Sequence, residues 1–148
     1  MSAYAVPSDV PVAFLRETLA HEKQLWWRLE GQSMMPTLRP ESVILVHPIV
    51  GAVRLGTIVL FEQGGAVVAH RIMQRRGGGY VAQGDNRQVP DGWVAPEQII
   101  GVVVQATYNE TLYYAIKENS PVALFWLLRY YWLKGRRFIH RLAARTVK

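Results

Sequence analysis

Three short stretches of the chain contain side chains that could do hydrolytic chemistry together. Ser33 lies in the segment GQSMMPTL, His70 lies in AHRI, and a later Gly-Asp-Asn-Arg stretch is followed by a further aspartate. A serine hydroxyl becomes an effective nucleophile only when a neighbouring base removes its proton, and that base works best when a third group fixes its tautomer. These residue types predict a serine nucleophile and an imidazole base, with two aspartates as candidates for the third group.

The positions of the lysines favour histidine as the base. The lysines of the chain are Lys23, Lys117, Lys134 and Lys148. None of them lies between Ser33 and residue 110, where we expect the central sheet to end. An imidazole is largely neutral near pH 7 and accepts a proton with little tuning. We therefore predict that His70 is the general base, against the structural alternative of a histidine that is merely buried in the core.

The two candidate acids are Asp85 and Asp91. Asp85 lies in a tight turn with Gly84 and Asn86, where an aspartate readily accepts backbone hydrogen bonds, so a structural role suits it. The residues alone leave open which of the two orients the imidazole.

Composition and charge exclude several classes of protein. A chain of 148 residues fits one domain, and the absence of cysteine excludes disulfides, thiolate catalysis and cysteine-ligated metals. Residues 129–148 hold seven of the 17 basic residues and no acid, so the formal charge of +6 belongs to the C-terminal end. The remaining chain is nearly balanced and has no electrostatic footprint for nucleic acid. We predict no cofactor, no metal and no nucleic-acid partner.

Hydrophobic periodicity predicts a mainly β protein with a helix at each end. Residues 8–23 show helical spacing, with Ser8 and Asp9 as caps, and residues 24–30 fit either a continued helix or a strand. From residue 42, short runs rich in valine and isoleucine alternate with glycine turns at 64–65 and 77–79, which predicts an antiparallel sheet. The predicted segments are 1–24 (helical), 25–110 (β domain) and 111–148 (basic amphipathic helix).

The C-terminal segment has an apolar face at helical spacing. That face is formed by Leu124, Phe125, Leu128, Tyr131, Trp132, Phe138, Ile139 and Leu142. The helix could lie in a bilayer interface, with Trp126, Tyr130, Tyr131 and Trp132 near the headgroups of anionic lipid, or it could dock on a partner protein or cover the β domain. The apolar stretch is too short to span a bilayer, and the N-terminus lacks a secretory signal, so we expect a cytoplasmic protein, peripheral at the membrane.

Taken together, the three motifs resemble the type I signal peptidases over about residues 25–106. In that family the nucleophilic serine lies in a Ser-Met-x-Pro-Thr stretch, and a Gly-Asp-Asn turn comes late in the β domain. His70, next to Arg71, occupies the position that is lysine in bacterial members and histidine in the archaeal and endoplasmic-reticulum members. The resemblance implies the β fold shared with the self-cleaving repressors and a serine endopeptidase that cleaves a leader or signal-like peptide.

The same resemblance implies roles for further residues. In the histidine-type members the acid lies seven positions after the glycine of the turn. Counting seven positions from Gly84 gives Asp91. The backbone amide of Ser33 would stabilise the oxyanion, and Met34 and Val68 would line shallow substrate pockets beside a peptide bound as an extra strand.

The chain also departs from its apparent relatives. Type I signal peptidases usually have a transmembrane anchor, which we do not find here, so we expect maturation of a particular leader-bearing precursor. Many members place a hydroxyl two residues before the serine, where this chain has Gly31. The self-cleaving repressors use a serine and lysine pair and a DNA-binding domain, and neither is evident. The alternative function is a catalytically inactive module that holds a peptide or assembles with a partner.

Overall fold

A computed structural model describes residues 9–115 and 121–145, with the side chains of the last helix described as far as Arg137. In chain order the elements are α1 (Val12–Glu22), β1 (Leu25–Arg28), β2 (Val43–His47), β3 (Ile58–Gln63), β4 (Ala66–Arg76), β5 (Gly79–Gln83), β6 (Trp93–Val94), β7 (Ile99–Tyr108), β8 (Thr111–Ala115) and α2 (Pro121–Arg145). The predicted fold class, mainly antiparallel β with a short N-terminal and a C-terminal helix, is confirmed.

The strands form one sheet in the order β1-β2-β7-β3-β4-β5-β6, and β8 pairs with β7. All pairings are antiparallel. The predicted glycine turns join β3 to β4 and β4 to β5. Residues 24–30 resolve as a strand, because β1 pairs with β2. The sheet extends to Ala115 and so continues past residue 110, where the sequence pattern predicts the end of the β domain.

Strand β3 lies at the centre of the packing and is buried on both faces. Its side chains alternate between two hydrophobic clusters, with Ile58 and Leu60 in one and Val59 and Phe61 in the other. This alternation follows from the period of two in an extended strand. A strand buried on both sides is a rigid support for its neighbour β4, which carries His70.

Helix α1 begins later than the sequence pattern predicts. It starts at Val12 after Pro11, and no side chain caps it, so the predicted cap at Asp9 is wrong; Ser8 lies outside the described residues. Leu15 and Leu19 are buried in the same cluster as Ile58. The helix is thus held by these apolar contacts, without a side-chain cap.

Helix α2 packs on the β domain through a different face from the one that the sequence pattern singles out. Trp126 and Tyr130 are buried with Met73 of β4, so their predicted placement at lipid headgroups is wrong. Tyr131 and Trp132 are exposed, while Phe138, Ile139 and Leu142 lie outside the described side chains. In the described part of the chain, no helix is long and apolar enough to cross a membrane.

We predict that the substitution Leu15→Ala lowers the free energy of unfolding by about 2–5 kcal/mol, because it leaves a cavity where a side chain is fully buried. The adjacent Phe14 is 51% exposed, so Phe14→Ala serves as the matched control and should change stability little. Urea denaturation followed by circular dichroism measures both. Equal losses in the two variants would contradict the docking of α1 through Leu15.

Candidate active site

Ser33 lies in the turn-rich loop that connects β1 to β2, and its side chain is half-buried. Internal backbone hydrogen bonds stabilise this loop, from the Met35 amide to the Gln32 carbonyl (3.1 Å) and from the Leu38 amide to the Met34 carbonyl (2.9 Å). The Ser33 carbonyl in turn accepts a hydrogen bond from the Asn86 amide at 2.8 Å. The backbone of Ser33 is therefore held both by its own loop and by the distant turn that contains Asn86.

His70 lies in β4, directly across from Val59 of β3. The residue is only 1% exposed, and its ring makes a T-shaped contact with that of Phe61 at a centroid distance of 6.0 Å. Strand pairing and this aromatic contact fix the orientation of the imidazole.

Ser33, His70 and Asp91 form one continuous chain of hydrogen bonds. The His70 Nε2 atom lies 2.9 Å from Ser33 Oγ, and its Nδ1 atom lies 2.5 Å from Asp91 Oδ2. A carboxylate can only accept, so Nδ1 carries the proton and Nε2 is left to accept from the serine hydroxyl. This is the geometry that a serine nucleophile and its base require.

Asp91 is held by its backbone as well as by its side chain. Its amide donates to the Ala82 carbonyl at 2.9 Å, and its carbonyl accepts from Gln63 Nε2 at 3.1 Å. The side chain is 3% exposed, whereas that of Arg87, at 3.8 Å, is half-exposed. An exposed partner of this kind contributes little, so the main contact of the Asp91 carboxylate is the imidazole.

Asp85 has a different set of partners. Its carboxylate accepts two hydrogen bonds from Arg71, at 2.9 and 2.7 Å, and one from Thr37 Oγ1 at 2.5 Å. Arg71 also donates to the Gly56 carbonyl at 2.8 Å. Asp85 thus joins the nucleophile loop to β4, while Asp91 is the aspartate in contact with His70.

Gly84 lies where the turn, the nucleophile and the base meet. A Cβ atom at this position would come within 2.6 Å of the Ser33 carbonyl oxygen and within 3.0 Å of His70 Nε2. The first distance is too short for a methyl group, and the second would be an unusually tight contact. The backbone of the turn can approach the two reactive side chains only because residue 84 has no side chain.

A cleft of about 460 Å³ opens beside Ser33. Met34 and Val68, the two predicted pocket residues, both line it. Asp9, Val12 and Trp27 line it too, but no sequence signal pointed to them, because they come near Ser33 only through the packing of α1 and β1. Among the described residues, no group of three or more histidine, aspartate or glutamate side chains could hold a metal ion.

Two strand edges flank the cleft. Its lining includes the end of β1 and residues 65–69, which begin β4. Within the part of the chain that the structure describes, β1 pairs with β2 alone, and the pairing of β4 with β5 begins only at Arg71. Backbone donors and acceptors on both sides are therefore available to an extended ligand.

We predict that Gly84→Ala lowers the free energy of unfolding by about 1–3 kcal/mol, because the added methyl group overpacks the contact with Ser33 and His70. The control is Gly135→Ala in α2, where a Cβ meets no atom within 4 Å and the change should stabilise the helix by up to about 1 kcal/mol. Thermal and urea unfolding of both variants measure the change in the free energy of unfolding, which should have opposite signs in the two. A neutral effect at residue 84 would contradict the close approach.

The comparisons with known proteins agree with this architecture. The chain matches the family model described as Peptidase S24-like over residues 3–104, which includes Ser33, His70 and Asp91. No curated protein matches the chain significantly. The matched range covers more than half of the chain and most of the sheet that carries the site. The chain therefore belongs to the Peptidase S24-like family.

Proposed function

We propose that the protein is a serine endopeptidase that cleaves a leader or signal-like peptide bound as an extended strand. Ser33 is the nucleophile, His70 the general base and Asp91 the residue that orients the base. The observation that carries this proposal is the unbroken hydrogen-bond chain from Ser33 Oγ through the imidazole to Asp91.

The proposed reaction follows from the positions of these three groups. Ser33 Oγ attacks the peptide carbonyl carbon while His70 Nε2 takes the hydroxyl proton, and the buried Asp91 carboxylate stabilises the imidazolium that forms. His70 then gives this proton to the leaving amine as the C–N bond breaks, which leaves an ester on Ser33. Water, deprotonated by the same imidazole, hydrolyses the ester and regenerates the serine.

The oxyanion of the tetrahedral intermediate needs donors aimed at it. Within residues 9–115 and 121–145, the Ser33 amide has no backbone acceptor, which supports its role as one donor. Gly31 has no hydroxyl to contribute. A backbone amide or a water molecule would supply the second hydrogen bond.

The substrate class is argued from the cleft. An extended peptide placed between β1 and the start of β4 would hydrogen-bond to unpaired backbone groups on both sides, with Met34 and Val68 contacting alternate side chains. Main-chain recognition of this kind is general for peptides, so the side chains beside the pockets would set the preference. By the resemblance to signal peptidases, small residues before the cut would be preferred.

Family membership at the coarse level includes repressor-like proteins as well as peptidases. The base supports the peptidase subtype with histidine, because the group within hydrogen-bonding distance of Ser33 Oγ is an imidazole. A serine and lysine pair would need a lysine at this position, and the chain has none between residues 24 and 116.

The deciding experiment is incubation of purified protein with a peptide library, followed by mass spectrometry of the fragments. We expect the wild type to produce internal cuts and both Ser33→Ala and His70→Ala to produce none, because each removes one of the reacting groups. His21→Ala is the control for loss of an imidazole, since His21 is exposed in α1. A serine-directed phosphonate probe gives a second readout. If neither cleavage nor labelling of Ser33 occurs, the proposed hydrolase is wrong and the alternative of an inactive peptide-binding module is favoured.

We predict that changing each of the two aspartates to asparagine has a different effect, one on the rate of cleavage and the other on stability. Asp91→Asn should keep the fold but lower kcat by a factor on the order of 10⁴, because the amide no longer holds the productive tautomer of His70. Asp85→Asn should lower the free energy of unfolding by about 3–5 kcal/mol, because the buried Arg71 loses its counter-charge. Cleavage rates and urea denaturation of both variants check this. The reverse pattern would assign the orienting role to Asp85.

A further inference from the structure

Helix α2 has two faces with different surroundings. The inner face packs on the β domain through the buried Trp126 and Tyr130. Lys134 hydrogen-bonds to Gln74 of β4 at 3.4 Å, and Arg137 donates to the Gln88 carbonyl. These contacts hold the helix in place, so its opposite face is a preformed surface.

That opposite face, here called the outer face, is apolar and open to solvent. Its members and their exposed fractions are Leu124 (58%), Phe125 (58%), Leu128 (62%), Tyr131 (48%) and Trp132 (59%). Residues spaced in this way form one stripe along a helix. A contiguous apolar patch on a folded surface marks a contact with a partner or a membrane.

The charges of α2 indicate which kind of partner fits the outer face. The helix contains no acid and six basic residues, of which Arg129, Lys134 and Arg137 hydrogen-bond to the β domain; the others are Arg136, Arg141 and Arg145. The Arg136 guanidinium lies over the ring of Trp132 at 4.8 Å, so a cation borders the apolar stripe. An apolar and aromatic stripe beside cations is the arrangement of helices that lie in the interface of anionic bilayers.

A second copy of the chain fits this surface less well. Two such helices placed with their outer faces together would bring the two Arg136 guanidinium groups into one interface with no acid from either helix, and like charges repel. An anionic lipid surface instead offers an apolar acyl-chain region in which Leu128 and Trp132 can be buried, and negative headgroups that can pair with Arg136. We therefore propose that α2 binds the protein to an anionic membrane surface, with the helix in the plane of the interface and its outer face inserted. This proposal does not depend on the peptidase activity.

The test uses the full-length Ser33→Ala protein, so that catalysis plays no part, in flotation with two kinds of vesicles. One kind is pure phosphatidylcholine and the other contains about 30% phosphatidylglycerol. We expect binding to the anionic vesicles that weakens by at least about tenfold in 0.5 M salt and on the neutral vesicles. In the same Ser33→Ala protein, the double substitution Leu128→Ser and Trp132→Ser should lower the affinity for anionic vesicles by at least about tenfold, because it removes inserted apolar groups.

The matched control is Val50→Ser, which removes an apolar side chain that is 93% exposed but lies outside α2. It should bind vesicles like the parent. A second readout reports insertion even if the variant still binds. Brominated phosphatidylglycerol should quench tryptophan fluorescence in the parent and quench it less in Trp132→Phe.

Three results would overturn the proposal. The first is equal binding by the parent and the outer-face variant, and the second is no binding to anionic vesicles at low salt. The third is a dimer, detected by light scattering, that the outer-face variant dissociates without any effect on vesicle binding. The third result would assign the outer face to a second copy of the chain.

Discussion

The buried ion pair between Arg71 and Asp85 is the interaction on which the geometry of the site depends. It joins β4 to the turn after β5, and through Thr37 it also holds the loop that carries Ser33. Breaking such a pair by removing one partner is far more costly than its net contribution suggests, because the remaining charge has no water around it. The pair therefore acts as a positional constraint that determines where three distant segments meet.

Strand β4 contributes to the site through both of its faces. His70 and Arg71 are consecutive, so their side chains leave the strand on opposite sides. One side presents the imidazole to Ser33 and Asp91, and the other anchors the turn that contains Gly84. His70 lies beside β3, whose side chains are buried on both faces of the sheet.

The two open surfaces of the molecule match the two proposals. The cleft beside Ser33 offers unpaired strand edges, which suit an extended peptide, and the outer face of α2 offers apolar and cationic groups, which suit an anionic membrane. A peptidase held at a membrane surface would meet precursors that also lie there. Each surface can be disabled without the other, since Leu128 and Trp132 lie outside the cleft lining.

The sequence by itself determined the class of fold and the chemical types at the site. The valine-rich runs with glycine turns predicted β2, β3, β4, β5 and β7, because strand and turn signals are local and periodic. The residue types of three short motifs, with their resemblance to signal peptidases, pointed to Ser33 and His70. Tertiary structure decided the rest: whether residues 24–30 form a strand and which face of α2 is buried. It also shows that Asp91, which only the resemblance to signal peptidases had implied, is the aspartate in contact with His70. Each of these features depends on a contact with a part of the chain that is distant in the sequence. Examples are the contacts of β1 with β2, of Asp85 with Arg71 and of Trp126 with Met73. A local sequence pattern does not specify such a contact.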